Sequence, residues 1–259
     1  MKNIYFFLLL FNCALNSVLH SEYQKNPLVK EEMWNLLEPH FIPEDHPAKI
    51  GLDKLFKNQN FKVIKNETSV KKAGFANAKL RKFSSMIASS HPKIPGYFFK
   101  FYPEDSLGVD DSFLHWRRIS GANSIRMWID ANYPHLFKVP KKWLYLLPED
   151  QQDKVRIHNF ILVAEDMELV SGSRNLTKWK SSQLPESTVK AVFLLLRDLG
   201  LKDSIFPFNL PFAKDGKIAV IDTEYHHQWP VHYPAFQNYF SRSNRLYWKK
   251  LIETNGMEK

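Results

Sequence analysis

Cysteine is nearly absent: the chain has one, Cys13, inside its opening apolar run. A disulfide framework is thereby excluded as the basis of the fold. Long apolar runs are missing as well. The stretch Ile4 to Phe11 is interrupted at Asn12 and Asn16, short of the roughly 20 apolar residues a membrane span requires. With Lys2 before it and Ser17 and Ser21 after it, it reads as a secretory signal over residues 1–21, removed on export to a periplasm or the cell exterior. No later segment could span a bilayer, and the mature chain would carry no thiol. Glycine is scarce at 9 of 259 residues, and Gly74 stands alone where a phosphate-cradling Gly-x-Gly-x-x-Gly loop would need three. No repeat, low-complexity tract or long basic arm occurs.

Aromatic residues make up 14% of the chain, and the formal net charge is +9. About 240 residues suffice for one substantial core. The positive balance favours anionic partners through an attraction that salt screens. Residues 22–74, rich in Pro, Lys and Asn with short apolar clusters such as Met33, Trp34, Leu36 and Leu37, read as an N-terminal extension packed on the main domain. From residue 75 the pattern turns strand-like, ending in Gly96 to Tyr102. Alternation there puts Phe99 and Phe101 on one face and Phe98, Lys100 and Tyr102 on the other.

Asp111 or Ser112 is expected to cap a helix carrying Phe113, Leu114, Trp116 and Ile119, with Gly121 ending it before a second helix through Ile125, Trp128 and Ile129. Arg117, Arg118 and Arg126 make this region cationic and a candidate anion-binding face. Strands are expected from Lys142 to Leu147 and over 157–164, the second apolar enough to be central. A connecting segment around Ser171 to Trp179 follows. Pro185, Glu186 and Ser187 open the clearest helix, with Val189, Val192, Phe193, Leu196 and Leu199 on one face and Gly200 as its stop. Asp215-Gly216 signals a hairpin into a strand over 217–224.

Three side chains stand out. Lys100 emerges from an aromatic strand. Asn209 lies in a Pro- and Phe-containing loop. Asp222 closes an apolar strand on the face of Ile218 and Val220, where a buried carboxylate is costly unless paired or metal-bound. Asp222, Glu224 and His226 also fall at i, i+2 and i+4, a spacing that on an extended chain could hold a metal for hydrolysis. A third reading is a non-catalytic anion-binding domain. Asn66-Glu67-Thr68 and Asn175-Leu176-Thr177 would be glycan acceptors in a eukaryotic lumen.

Taken in order, these elements resemble the two-lobed protein-kinase-like fold, including its aminoglycoside phosphotransferase and choline kinase relatives. The resemblance rests on Lys100 on its strand, on Glu165 to Leu169 after a buried strand, on the 13 positions between Asn209 and Asp222, and on Ile221-Asp222-Thr223-Glu224. It implies an α+β fold, with residues 75–164 forming a small strand-rich lobe and 165–259 a larger helical one. It further implies ATP with Mg or Mn as cofactors, Lys100, Glu165 and Met167 holding nucleotide, and Asn209 and Asp222 holding metal. Asp222 and Asp203 would be the catalytic carboxylates. The family pattern places the catalytic aspartate five residues before the asparagine; here that position is Ser204, with Asp203 one place out of register. The span from Trp116 to Trp128 lacks the family's glutamate partner for Lys100, and a pseudokinase stands beside an active phosphotransferase.

Overall fold

The computed structural model describes residues 23–78, 85–106, 110–152, 155 and 158–257. The expected signal over 1–21, and residue 157 at the expected start of the second strand, lie outside them. The fold is α+β, built on a four-stranded antiparallel sheet in the order β1-β2-β5-β4. Its strands are β1 (Ile87–His91), β2 (Ile94–Phe101), β4 (Lys142–Leu146) and β5 (Phe160–Glu165). A short parallel pair, β3 (Phe137–Lys138) with β6 (Ile218–Ala219), sits among the helices.

Strand periodicity decides what each face of the sheet does. Phe99 and Phe101 are buried, as their alternation requires, with Tyr145, Ile161 and Val163 on the same face. Two helices, α2 (Pro47–Lys57) and α3 (Glu67–Lys72), cover that face, while α1 (Glu31–Leu37) packs through Trp34 and Leu37 against Leu144, Phe160 and Leu162 on the other. Leu52, Phe56 and Val70 supply much of the cover. Pro47, which interrupts the sequence pattern, occupies the first helical position, where its missing N–H costs nothing.

The opposite face carries the two lysines that matter below. Lys100 is paired with Leu162, and Lys142 with Ala164. Leu162 and Ala164 are two residues apart on β5, so both lysines project to the same side. That side meets helix α4 (Asp111–Asn132), a single 22-residue element where two helices had been expected. Asp110 caps it, its Oδ1 accepting from the Ser112 and Phe113 N–H groups at 3.1 and 3.4 Å. Gly121 does not stop the helix; it lets the helix approach a neighbouring chain. A Cβ there would stand 1.9 Å from the Thr223 carbonyl oxygen.

The helical half contains α5 (Gly172–Lys180), α6 (Glu186–Leu199) and α7 (Arg242–Thr254). Their shared core includes Trp179, Phe193, Leu196, Phe236 and Trp248, and α4 contributes Ile125 and Ile129. The segment expected to connect through Trp179 is thus helical, with Trp179 fully buried as an anchor. Gly200 ends α6 at φ 55°, the left-handed conformation that suits glycine. The Asp215-Gly216 turn forms, with Ala213 N–H donating to the Lys217 carbonyl at 2.8 Å. The strand after it is shorter than expected: pairing ends at Ala219, and the chain from 222 onward is held by α4.

That joint sets the position of everything described next. Gly121→Ala should force Thr223 or the helix to move and lower stability by roughly 2 kcal/mol, a Tm drop of about 4–8 °C. Gly172→Ala, where a Cβ would meet nothing within 4 Å, should leave the Tm nearly unchanged. An unaltered melting curve for G121A would show that α4 is not seated on this segment. At the same joint Arg118 pairs with Glu224, both buried. Arg118→Met should cost about 3–5 kcal/mol in urea unfolding by stranding a buried carboxylate, and adding Glu224→Leu should restore most of it. Equal losses in the single and double variants would assign the effect to packing alone.

Candidate functional site

The site forms where three chain segments meet. Lys100 comes from β2, Asp222 from the segment after β6, and Asp203 and Asn209 from the loop after α6. Hydrogen bonds stitch the last two segments together. Asn209 Nδ2 donates to the Asp203 carbonyl at 2.6 Å, Ile221 N–H donates to the Asn209 carbonyl at 3.3 Å, and Ser204 Oγ to the Asp222 carbonyl at 3.4 Å. A turn-forming asparagine therefore fixes the spacing between two carboxylates.

Charge dominates the site. Burial works to raise the Asp222 pKa, but Lys100, Arg118 and Lys142 together hold it below its ordinary value. Its Oδ1 is buried and has no hydrogen-bond partner among the described residues. Asp203 moves the other way: burial raises it, the negative charge of Asp222 adds to that, and Lys202 and Arg117 pull it partly back. The two acids thus lie in each other's field with opposite tendencies, one kept ionised and one pushed toward protonation.

Beneath them runs a buried polar chain. Lys142 Nζ donates to Thr223 Oγ1 at 2.5 Å, and Thr223 Oγ1 donates to the Arg118 carbonyl at 2.5 Å. Arg118 is 2% exposed, forms its ion pair with Glu224, and donates to Tyr102 Oη at 2.8 Å. Burial raises Glu224 while Arg118 opposes the shift, and burial pushes the Tyr102 hydroxyl up to about 12. Burial, reinforced by Lys100, drives Lys142 well below the ordinary lysine range.

Lys100, Asp203, Asn209 and Asp222 thus come together. Glu165 and Met167 lie where β5 crosses toward α5. Glu165 Oε2 accepts from the Lys141 N–H at 2.8 Å, and its own N–H donates to the Lys141 carbonyl at 3.1 Å. That carboxylate clamps the start of β4. Met167 is half-buried in the crossing.

Several expectations require correction. Arg118 faces inward, so Arg117, Arg118 and Arg126 do not form one anion-binding face. Arg117 lies over the Tyr225 ring at 4.8 Å, and Arg126 donates to Asn123 Oδ1 at 3.0 Å and the Pro140 carbonyl at 3.1 Å. Asp222, Glu224 and His226 do not build a metal centre, because the chain is no longer an extended strand and Arg118 neutralises Glu224. Among the described residues no group of three or more His, Cys, Asp or Glu is placed to hold a metal ion. Asn175 is buried, donating to the Pro207 carbonyl at 2.9 Å and accepting from the Phe212 N–H at 3.0 Å, so in the folded chain it offers no glycan acceptor. Asn66 caps α3, accepting from the Ser69 N–H at 2.9 Å.

Sequence reasoning missed Lys142 and the Arg118–Glu224 pair. A lysine opening an otherwise apolar strand was a signal for the first. Nothing local announces the second, because its partners are joined only by the tertiary fold.

No family model and no curated protein matches the chain. Among solved structures, it is similar to Rv3197 of Mycobacterium tuberculosis, determined in complex with erythromycin, at 15% identity and a TM-score of 0.31 over 89% of this chain and 68% of that one. It is also similar to the MAP kinase LmaMPK10 of Leishmania major, at 13% identity and a TM-score of 0.32 over 74% of this chain and 66% of that one.

Proposed function

We propose that the chain is a divergent kinase-like protein that binds a nucleoside triphosphate together with a divalent cation, and that transfers a phosphoryl group from it. One observation carries the reading: half-buried Asp222, its pKa held low, has a buried oxygen without a hydrogen-bond partner among the described residues, and Lys100 lies in its field from β2. A carboxylate kept charged chiefly by Lys100 and Arg118, with a buried oxygen that has no hydrogen-bond partner among the described residues, fits a hard cation held by oxygen ligands.

Asp222 and Asn209 would hold that ion, which when bound neutralises phosphate charge. Lys100 supplies a point charge to the α- and β-phosphates. Asp203, near Asp222 and lifted in pKa, would take a proton from an acceptor hydroxyl. Arg118, through Glu224 and Thr223, fixes the segment that presents Asp222 without itself meeting substrate.

ATP with Mg²⁺ or Mn²⁺ at about a hundred times its Kd should stabilise the protein by about 2.7 kcal/mol, raising the Tm by roughly 5–10 °C. Asp222→Asn should abolish that shift. No movement of the wild-type Tm at millimolar nucleotide with either metal would overturn the binding proposal.

Transfer is tested separately. Asp203→Asn should keep the nucleotide-dependent Tm shift and lose ATP turnover by about 10²-fold or more. Because the folded pKa of Asp203 is raised, its basic form is lost first as pH falls, so turnover should decline on the acid side. Arg117→Gln removes a cation that favours the ionised form and should move that decline to higher pH. An unmoved acid limb, or turnover untouched in D203N, would remove Asp203 from the reaction. A nucleotide-dependent Tm shift without turnover in the wild type would identify a pseudokinase.

A further inference from the structure

The positive charge that is scattered along the sequence is gathered by the fold at a place unrelated to the site above. On the outer surface of the N-terminal helical layer lie two adjoining depressions that share Lys72 as a common wall. One, of about 630 Å³, is lined by Lys62, Lys65 and Lys72 with the polar groups of Asn66 and Ser69. The other, of about 450 Å³, is lined by Lys54, Lys72 and Lys93, with His91 at its edge. Residues from α2, from α3 and its approach, and from the β1–β2 turn thus meet.

Nearby acids are few: Asp105 lies beside Lys65, and Glu67 is paired with Lys71. Glu104 lines the first depression but is paired with Lys62 at 2.6 Å. Lys54, Lys65, Lys72 and Lys93 are exposed and in no ion pair among the described residues. Fixed positive charge along a concavity concentrates an anionic chain, and binding releases that chain's counterions.

The lining discriminates between polyanions. A nucleic acid strand gains much of its affinity from bases stacked on aromatic faces. Of the two aromatic rings here, Phe61 is already covered by Lys72 Nζ at 4.3 Å from its centroid, and His91 is buried. A membrane-binding face inserts apolar side chains. None of the exposed large apolar residues among the described ones lines either depression. What remains is a surface of ammonium, amide and hydroxyl donors, suited to a hydrophilic chain of sulfate groups.

We propose that the paired depressions around Lys72 bind a linear sulfated polysaccharide, independently of the nucleotide site.

The test is fluorescence anisotropy with a heparin dodecasaccharide at about 0.15 M salt, where nonspecific attraction is screened beyond roughly 8 Å. Replacing Lys54, Lys65, Lys72 and Lys93 with Gln should weaken binding about tenfold or more and flatten its salt dependence. A control with Lys180, Lys214, Lys249 and Lys250 changed to Gln, of identical net charge, should lose about twofold or less. A triple variant that keeps Lys72 guards against any effect of uncovering Phe61, and melting curves confirm folding. Equal losses in patch and control variants would overturn the proposal, as would equal binding of fully desulfated heparin or no wild-type binding at this salt. Single-stranded DNA or phosphatidylserine vesicles binding as tightly, with the same dependence on the four lysines, would reassign the surface. The ATP-dependent Tm shift of the patch variant reports separately on the other site.

Discussion

The buried ion pair between Arg118 and Glu224 is the constraint on which the site depends. Removing a guanidinium and a carboxylate from water costs several kcal/mol per ion, and their attraction offsets this only when the remaining hydrogen-bonding capacity is met. Here Tyr102 takes a second guanidinium donor, while Thr223 caps the Arg118 carbonyl and accepts from Lys142; Arg118 Nε has no partner among the described residues, so that capacity is met only in part. The pair therefore belongs to a network that spans β2's end, helix α4, β4 and the Asp222 segment. Gly121 makes the network possible, since any side chain there would hold the helix away from Thr223. Once α4 and residues 222–224 are locked, Asp222 can point in few directions, and its free oxygen is a consequence of that locking.

How much of this is legible in the sequence depends on whether the governing contact is local. The β2 alternation, the apolar face of α6 and the Gly200 stop are local, and the structure has them where the pattern places them. Gly121 was misread because glycine in a helix ordinarily weakens it, and only a tertiary neighbour shows why one is needed there. The strand after Gly216 was read too long for a related reason. Apolar alternation continues through Val220, but from Asp222 side chains answer to α4, and no strand partner lies alongside. The N-terminal helices were hidden by Pro47 and by lysines whose stems cover apolar surface while their charges stay in water.

The candidate site divides in the same way. Lys100, Asn209 and Asp222 could be singled out because each is anomalous where it stands: a cation on an aromatic strand, an amide between phenylalanines, an acid ending an apolar run. Arg118 is not anomalous locally, being one of three arginines on what reads as a solvated helix face. Its burial follows from the helix's rotation against the sheet, which Ile119 and Ile125 fix by packing into different cores on either side. The helix, which the sequence shows to lack an acid for Lys100, sends an arginine to Glu224, two residues beyond Asp222.

An arginine on that helix shapes the electrostatics of the cleft in a way that bears on what can enter it. Lys100, Arg118 and Lys142, the last drawn toward its neutral form, act on Asp222, and among the described residues Glu224, already paired, and Asp203, itself drawn toward protonation, share the negative charge. A bare divalent cation approaching this group meets one carboxylate ringed by positive charge, and the low local dielectric strengthens that repulsion. An anion alone meets Lys100 but also the ionised Asp222. Under the proposed function, a phosphate chain carrying its cation would match both signs at once, oxygens toward Lys100 and metal toward Asp222. The metal would then arrive as part of the nucleotide complex, because the cleft lacks the acidic surplus that would let it bind first.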